Sequence, residues 1–499
     1  MALARLISRG QSGLDAYEVS VEVHLAGGLP GFAVTGLPTA AVRESKDRVR
    51  AALQTCQFQI PAQRITVHLG PADVPKDGGR FDLAIALGVL KANEKPDWQT
   101  DQTEFLGELT LSGALRPVNG AVPAALAARD SGRRLIVPRE NADEVSLVAG
   151  ANVYAATHLV EVVEALDGTT TLPRVAPRAI SAQRSQALDL SDVRGQEMPK
   201  RALTIAAAGG HNLLMIGPPG SGKSMLAERM RGLLPDLEEA DMLCVASIAS
   251  VAGDRSAWTR GTLPPFRAPH HSTSMLALVG GGARPRPGEV SLAHRGVLFL
   301  DELPEFSRAA LEALREPIET GVVQISRLHE RVIFPAEFQL LAAMNPCPCG
   351  RLGDGTDRCS CSLARIQAYR AKVSGPLLDR FDLHVEVPQV RFERLAEVTR
   401  CEETERLRAE VTEARQRQLA RHGKLNARLD DGILWKRAGL AAASGRLLQR
   451  AARQWHLSAR STVRILRVSR TIADLEQSEK LEPRHVAEAL QLRYLDRAV

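Results

Sequence analysis

At 499 residues the chain is too long for one ordinary core, so two or three domains are expected. A 44% apolar share with mixed charges describes a folded, soluble chain, and aromatics at 4% argue against base-stacking platforms as the main device of any nucleic-acid binding. The net charge of +6 favours a polyanionic partner, and a merely basic surface accounts for it equally well.

The first residues, "MALARLIS", lack the long apolar core and cleavage pattern of a secretory leader, and no apolar run is long enough to span a bilayer. No membrane association and a cytoplasmic location are expected. Seven cysteines in a long chain do not resemble the disulfide framework of a small secreted domain.

From Tyr17 to about Gly168, "YEVSVEVHLA" and "RITVHLG" alternate as strands do, and "TAAVRESKDRVRAALQTC" has the pattern of a helix. An α+β domain is expected over 1–170. A Pro-, Arg-, Ser- and Gln-rich stretch over 171–190, "TLPRVAPRAISAQRSQALDL", has the composition of a linker. Over 191–390, short apolar strands ("NLLMIG", "GVLFLDE", "FQLLAAMN") alternate with helices, which predicts an α/β domain with a parallel sheet and flanking helices. From 391 to 499 the chain is helical and charged; Glu and Arg at three- and four-residue spacing suit a solvated helix face or a helical lid.

"GPPGSGKS" (Gly217, Pro218, Pro219, Gly220, Ser221, Gly222, Lys223, Ser224) matches a phosphate-binding loop, and its flanks are right: an apolar strand before, a helix after. Its glycines let backbone N–H groups turn onto phosphates at a helix N-terminus. Lys223 would reach the β- and γ-phosphates of ATP, and the Ser224 hydroxyl would hold Mg²⁺. In "GVLFLDE" a buried strand ends in two carboxylates, with Asp301 suited to the Mg²⁺ shell and Glu302 to orienting and deprotonating an attacking water. Asn345 ends a further apolar strand, where it could bridge that water and the γ-phosphate or simply form a turn before Pro346. Arg380, in "SGPLLDRFDLHVEV", suits either a structural ion pair or a finger supplied to a neighbour's nucleotide.

"NPCPCGRLGDGTDRCSC" sets two C-x-C pairs nine residues apart, directly after Asn345. Cys347, Cys349, Cys359 and Cys361 could close a structural Zn²⁺ site, although the one-residue spacer is tighter than usual. Four reduced, unligated thiols are the other reading.

"VRGQEMPKRALTIAAAGGHNLLMIGPPGSGKS", "FRAPHHSTS", "PGEVSLAHRGVLFLDELPEF", "AAMNPCPCG" and "SGPLLDRFDLHVEVP" together resemble the magnesium-chelatase-like AAA+ ATPases of the ComM (YifB) group, over nearly the whole chain. The resemblance implies a central AAA+ P-loop domain with a C-terminal helical lid, assembled as a hexameric ring with ATP at each subunit boundary. It also implies a motor that drives DNA branch migration during recombination in natural transformation. By the same resemblance Asn345 is the sensor-1 residue, Arg380 the arginine finger, and Arg460 the sensor-2 residue, with Arg464 as the alternative. The segment "VVQISRLHERVIF" alternates like a hairpin, and in related proteins such an insertion projects into a central pore. Arg327, His329 and Arg331 would lie on or beside its tip, and Arg284 and Arg286 on a second insertion, "LVGGGARPRPGEVS". Basic tips there would track single-stranded or branched DNA without reading its sequence; ordinary solvated hairpins are equally compatible.

"PKDGGRFDLAIALGVL" and "LGELTLSGALRPVNGAVPAALAARDSGRRLIVPREN" resemble the proteolytic domain of Lon, of the ribosomal S5 domain 2-like type. Where that pattern carries its serine this chain has Arg80, and where it carries its lysine it has Val122. Without the nucleophile and the amine that activates it, proteolysis is not expected. A collar for assembly or substrate binding is expected instead, with Arg80 contacting DNA or filling the vacated pocket. Against the DNA motor stand a chelatase-like motor and a chaperone-like unfoldase, each remodelling a protein partner.

Overall fold

The computed structural model describes residues 2–94, 96–178, 188–255, 258, 261–282, 285–326, 331–353, 358–390, 403–437 and 439–496. They divide into two compact units, Met1–Ser181 with Glu239–Gly261, and Ala182–Glu238 with Thr262–Val499.

The first unit is α+β. Its mixed seven-stranded sheet comprises β1 (Ala2–Arg9), β2 (Glu18–Ala26), β3 (Gly31–Thr35), β4 (Arg64–Gly70), β5 (Thr103–Phe105), β8 (Arg134–Pro138) and β9 (Asn152–Ala156), in the order β3-β4-β2-β1-β5-β8-β9. A short hairpin, β6 (Glu108–Leu109) with β7 (Leu115–Arg116), lies outside it. In β2 the alternation of Val and Leu with polar residues is matched by alternate burial, the signature of a strand with one face on the core. The helix Asp82–Glu94 is apolar nearly all round and buried along most of its length. It can lie against the sheet because Gly88 has no side chain: a Cβ there would stand 2.6 Å from Val23 Cγ2. The predicted helix over 39–56 forms as two pieces, Ala40–Arg43 and Ser45–Thr55, the second tied to the buried helix by Arg48 and Asp82 at 2.7 Å.

Two departures from the predicted boundaries concern where polar and apolar groups find partners. Part of the predicted linker pairs with β9, since Ala155 N–H donates to Pro173 and Val175 N–H to Val153. Residues 179–187 of that linker lie outside the described residues. The helix Glu239–Ala252, which sequence order places within 191–390, belongs to the first unit. Its apolar face packs on the helix Ala121–Asp130, with Ala246 in the same core as Val122 and Ala125. Ser250 completes the docking: its hydroxyl donates to Glu144 at 2.5 Å and accepts from Val122 N–H at 3.2 Å.

The second unit is α/β. Its sheet is all-parallel, formed by β10 (Leu213–Ile216), β11 (Phe266–Arg267), β14 (Val297–Leu300), β17 (Gln339–Met344) and β18 (Leu383–Glu386), in the order β11-β14-β17-β10-β18. β10, β14 and β17 are buried at every residue, as expected where helices cover both faces. Two small antiparallel pairs are appended, β12 (Gly280–Gly281) with β13 (Arg286–Pro287) and β15 (Val322–Ser326) with β16 (Arg331–Pro335). The C-terminal segment is helical. Glu403–His422 buries Val411 and Ala414 and carries i,i+4 pairs such as Arg406–Glu410 on its exposed side, while Ala459–Leu475 packs on it and on Pro483–Gln491. No helix among the described residues is long and apolar enough to cross a membrane.

Candidate nucleotide site

β14, β17 and β10 are neighbours in the parallel sheet, so the segments leaving their C-terminal ends converge on one edge. Asp301 and Glu302 follow β14, Asn345 follows β17, and the loop Gly217–Gly222 follows β10 before the helix Lys223–Leu233 begins. Residues 219–224, Asp301, Glu302 and Asn345 line one cleft of about 390 Å³, although Ser224 and Asp301 are 77 residues apart in sequence.

The loop is shaped to receive an anion. Gly220 and Gly222 have φ of +76° and +94°, conformations that side chains rarely adopt, and a Cβ added at either would meet nothing within 4 Å. The space beside them therefore stays open to a ligand at the end of the helix, whose first N–H groups have no intrahelical acceptor. Ser221 Oγ is buried without a protein partner. Lys223 Nζ donates to the carbonyls of Gly217 at 2.7 Å and Pro218 at 2.9 Å, and stands 3.4 Å from Asn345 Oδ1. Burial pushes the Lys223 ammonium below its usual pKa, and the charges of Asp301 and Glu302 oppose that shift.

Across the cleft, Ser224 Oγ donates to Asp301 Oδ2 at 2.7 Å. A hydroxyl and a carboxylate side by side are hard oxygen donors, which fit Mg²⁺ beside a polyphosphate. Glu302 is exposed and has φ +52°, an uncommon conformation for a residue with a side chain. Its carboxylate lies 3.2 Å from His271 Nδ1, and the His270 ring lies against His271 with centroids 4.0 Å apart and planes tilted by 35°. His271 was not singled out by sequence reasoning; the signal was the histidine pair of "FRAPHHSTS", which follows β11, the strand next to β14. A second cleft of about 510 Å³ shares Glu302 and Asn345 with the first and continues past Pro348, Arg365 and Tyr369. Burial pushes the Tyr369 phenol up to about 12, so it remains a neutral donor at physiological pH.

The arginines are placed differently. Arg380 does not line the cleft of its own chain; it pairs with Glu319, and its Nε is buried without an acceptor. Arg460 is exposed in the first turn of the helix Ala459–Leu475. Arg464 is buried beside Asp382 at 3.7 Å and Asp379 at 3.9 Å, flanking Arg380. Neither Arg460 nor Arg464 lines the cleft. Arg286 and Arg331 are exposed on neighbouring hairpins, Arg331 donating to Gln324 at 2.6 Å. Arg284, Arg327 and His329 lie outside the described residues.

In the first unit Arg80 is only 7% exposed, and its guanidinium donates to the carbonyls of Asn119 and Arg9. Burial lowers its pKa to about 10, which leaves it charged. Arg80 is thus held inside the unit by main-chain acceptors. Val122 is fully buried.

A parallel sheet with a phosphate loop, a strand-end acidic pair and a polar residue on the strand between them defines an AAA+ protein of the magnesium-chelatase type. The family described as "Magnesium chelatase, subunit ChlI" matches residues 189–395, "Subunit ChlI of Mg-chelatase" matches 21–141, and "Magnesium chelatase, subunit ChlI C-terminal" matches 401–493. The chain is 48% identical to competence protein ComM of Haemophilus influenzae, over 100% of this chain and 98% of that protein. It is 46% identical to the protein YifB of Escherichia coli over the same shares. The magnesium-chelatase 38 kDa subunit of Rhodobacter capsulatus is 27% identical over 47% of this chain and 66% of its own length. The chain belongs to the ComM/YifB family.

Proposed function

We propose that this protein is a Mg²⁺-dependent ATPase that assembles as a hexameric ring and moves along DNA, promoting branch migration during recombination in natural transformation. The observation that carries the ATPase is the convergence of Lys223, Ser224, Asp301, Glu302 and Asn345 on one cleft. The full-length similarity to a competence protein supports DNA as the track, as do exposed arginines on two adjacent hairpins.

Phosphoryl transfer is catalysed mainly by positioning and charge. Lys223 exchanges its loop carbonyls for phosphate oxygens, and the loop N–H groups close around them. Ser224 and Asp301 would hold Mg²⁺, which when bound would neutralise charge on the phosphates. Glu302 turns from His271 to accept the proton of the attacking water, and Asn345 orients that water toward the γ-phosphate.

In this reading Arg380 serves the nucleotide of the adjacent subunit and leaves Glu319 to do so. Arg380→Ala is expected to retain ATP binding and to lose turnover by about 10³-fold or more. Mixed with inactive Glu302→Gln subunits it should regain part of that turnover, because some boundaries then combine an intact carboxylate with an intact finger. A mixture no more active than either variant alone would place Arg380 in a purely structural ion pair.

The reading as a whole is tested on a fluorescent four-way junction. ATP, and not a non-hydrolysable analogue, should drive its strands apart. A junction left intact while ATP is hydrolysed and a protein substrate is unfolded would favour the chaperone-like alternative.

A further inference from the structure

The four cysteines after Asn345 are brought together. Cys347 Sγ lies 3.4 Å from Cys349 Sγ and 3.8 Å from Cys359 Sγ, Cys349 and Cys359 are 3.7 Å apart, and all four sulfurs fall within 4.8 Å of one another. A disulfide requires about 2.0 Å, so these are separate thiols. Four sulfurs around one ion at a Zn–S distance of about 2.3 Å stand about 3.8 Å apart, the edge of the tetrahedron. The tight C-x-C spacing is accommodated by a turn: Gly350 N–H donates to Cys347 O at 3.0 Å, and Gly350 takes φ +76°. The chain thereby reverses directly after the second cysteine, with Cys347 buried and Cys349 at the surface. An all-thiolate tetrahedron selects zinc or iron over magnesium.

The same turn touches the nucleotide cleft. A Cβ on Gly350 would stand 2.6 Å from Pro219 Cδ in the phosphate loop and 3.9 Å from Asn345 Cγ. Arg370 Nε donates to Pro346 O at 3.4 Å, holding the one residue that joins Asn345 to the first cysteine. We propose that Cys347, Cys349, Cys359 and Cys361 form a tetrathiolate zinc site that clamps the turn after Asn345 against the phosphate loop. On binding, each thiol releases its proton to solvent as its sulfur bonds the metal. The metal is structural, and its influence on turnover rests on the ATP-site reading above.

Elemental analysis of the full-length protein, purified under reducing conditions and dialysed, should find one zinc per chain, with four sulfur neighbours at about 2.3 Å by X-ray absorption. Cys349→Ser, at an exposed position, should fold and bind zinc at least about tenfold more weakly. It should bind a fluorescent ATP analogue normally and turn ATP over about tenfold more slowly, because Asn345 loses its support. Zinc below about 0.1 per chain, iron in its place, or two disulfides by mass would overturn the metal site. Zinc lost from Cys349→Ser with turnover unchanged would overturn the clamp alone. Failure of the parent protein itself to bind the analogue would instead count against the ATP site.

Discussion

Glu302→Gln is expected to bind ATP as tightly as the parent chain while its turnover falls by about 10²- to 10⁴-fold, the range for loss of a positioned general base. The amide keeps the size of the carboxylate and can still meet His271, so the cleft should keep its shape. It cannot take a proton from water. Glu302 is held at the end of β14 with φ +52°, exposed to the cleft and next to Asp301, whose Oδ1 accepts its backbone N–H at 2.9 Å. Such a conformation persists where the surroundings impose it, and here it leaves Glu302 lining the cleft with the phosphate loop. Fluorescent-nucleotide binding and phosphate release, measured on the same preparation, separate the two effects. Normal hydrolysis by this variant would assign the proton transfer to another group.

Lys223→Ala should lose nucleotide binding itself. The ammonium lies within the loop, donating to two carbonyls at 2.7 and 2.9 Å and standing 3.4 Å from Asn345 Oδ1, and it lines the cleft that would receive the phosphates. Removing it deletes charge-assisted bonds to two phosphates, each worth about 1.5–3 kcal/mol, which corresponds to a loss of affinity of about 10²-fold or more. Thermal unfolding of the variant without nucleotide distinguishes this from collapse of the loop. A near-parental melting temperature with no shift on adding ATP is the expected pair of results; a full ATP shift would show that the loop binds without its lysine.

The phosphate loop and the acidic pair were legible because their chemistry is local. A few residues carry both the geometry and the functional groups, and the apolar strands around them give the sheet. What was not legible depends on partners distant in sequence. Nothing in "EADMLCVASIASVA" says that its apolar face will pack on Ala121–Asp130 rather than on the sheet that precedes it. The pairing of Arg380 with Glu319 joins residues 61 apart, so the sequence left ion pair and finger open, and one chain contains the ion pair. The one-residue spacers between cysteines left metal site and unligated thiols open, and the proximity of all four sulfurs, within 4.8 Å of one another, depends on how distant parts of the loop meet. For Arg80 the sequence left DNA contact and pocket filling open; its burial against the Asn119 carbonyl was not readable from it.

The most direct test is steady-state ATP hydrolysis by the full chain with no addition, with single-stranded DNA, with a four-way junction and with an unfolded protein, over a series of salt concentrations. Strong stimulation by DNA that fades as salt rises is the result expected of a motor that tracks phosphates through basic tips. Hydrolysis indifferent to DNA and stimulated by the unfolded protein would contradict that account and make a polypeptide the substrate.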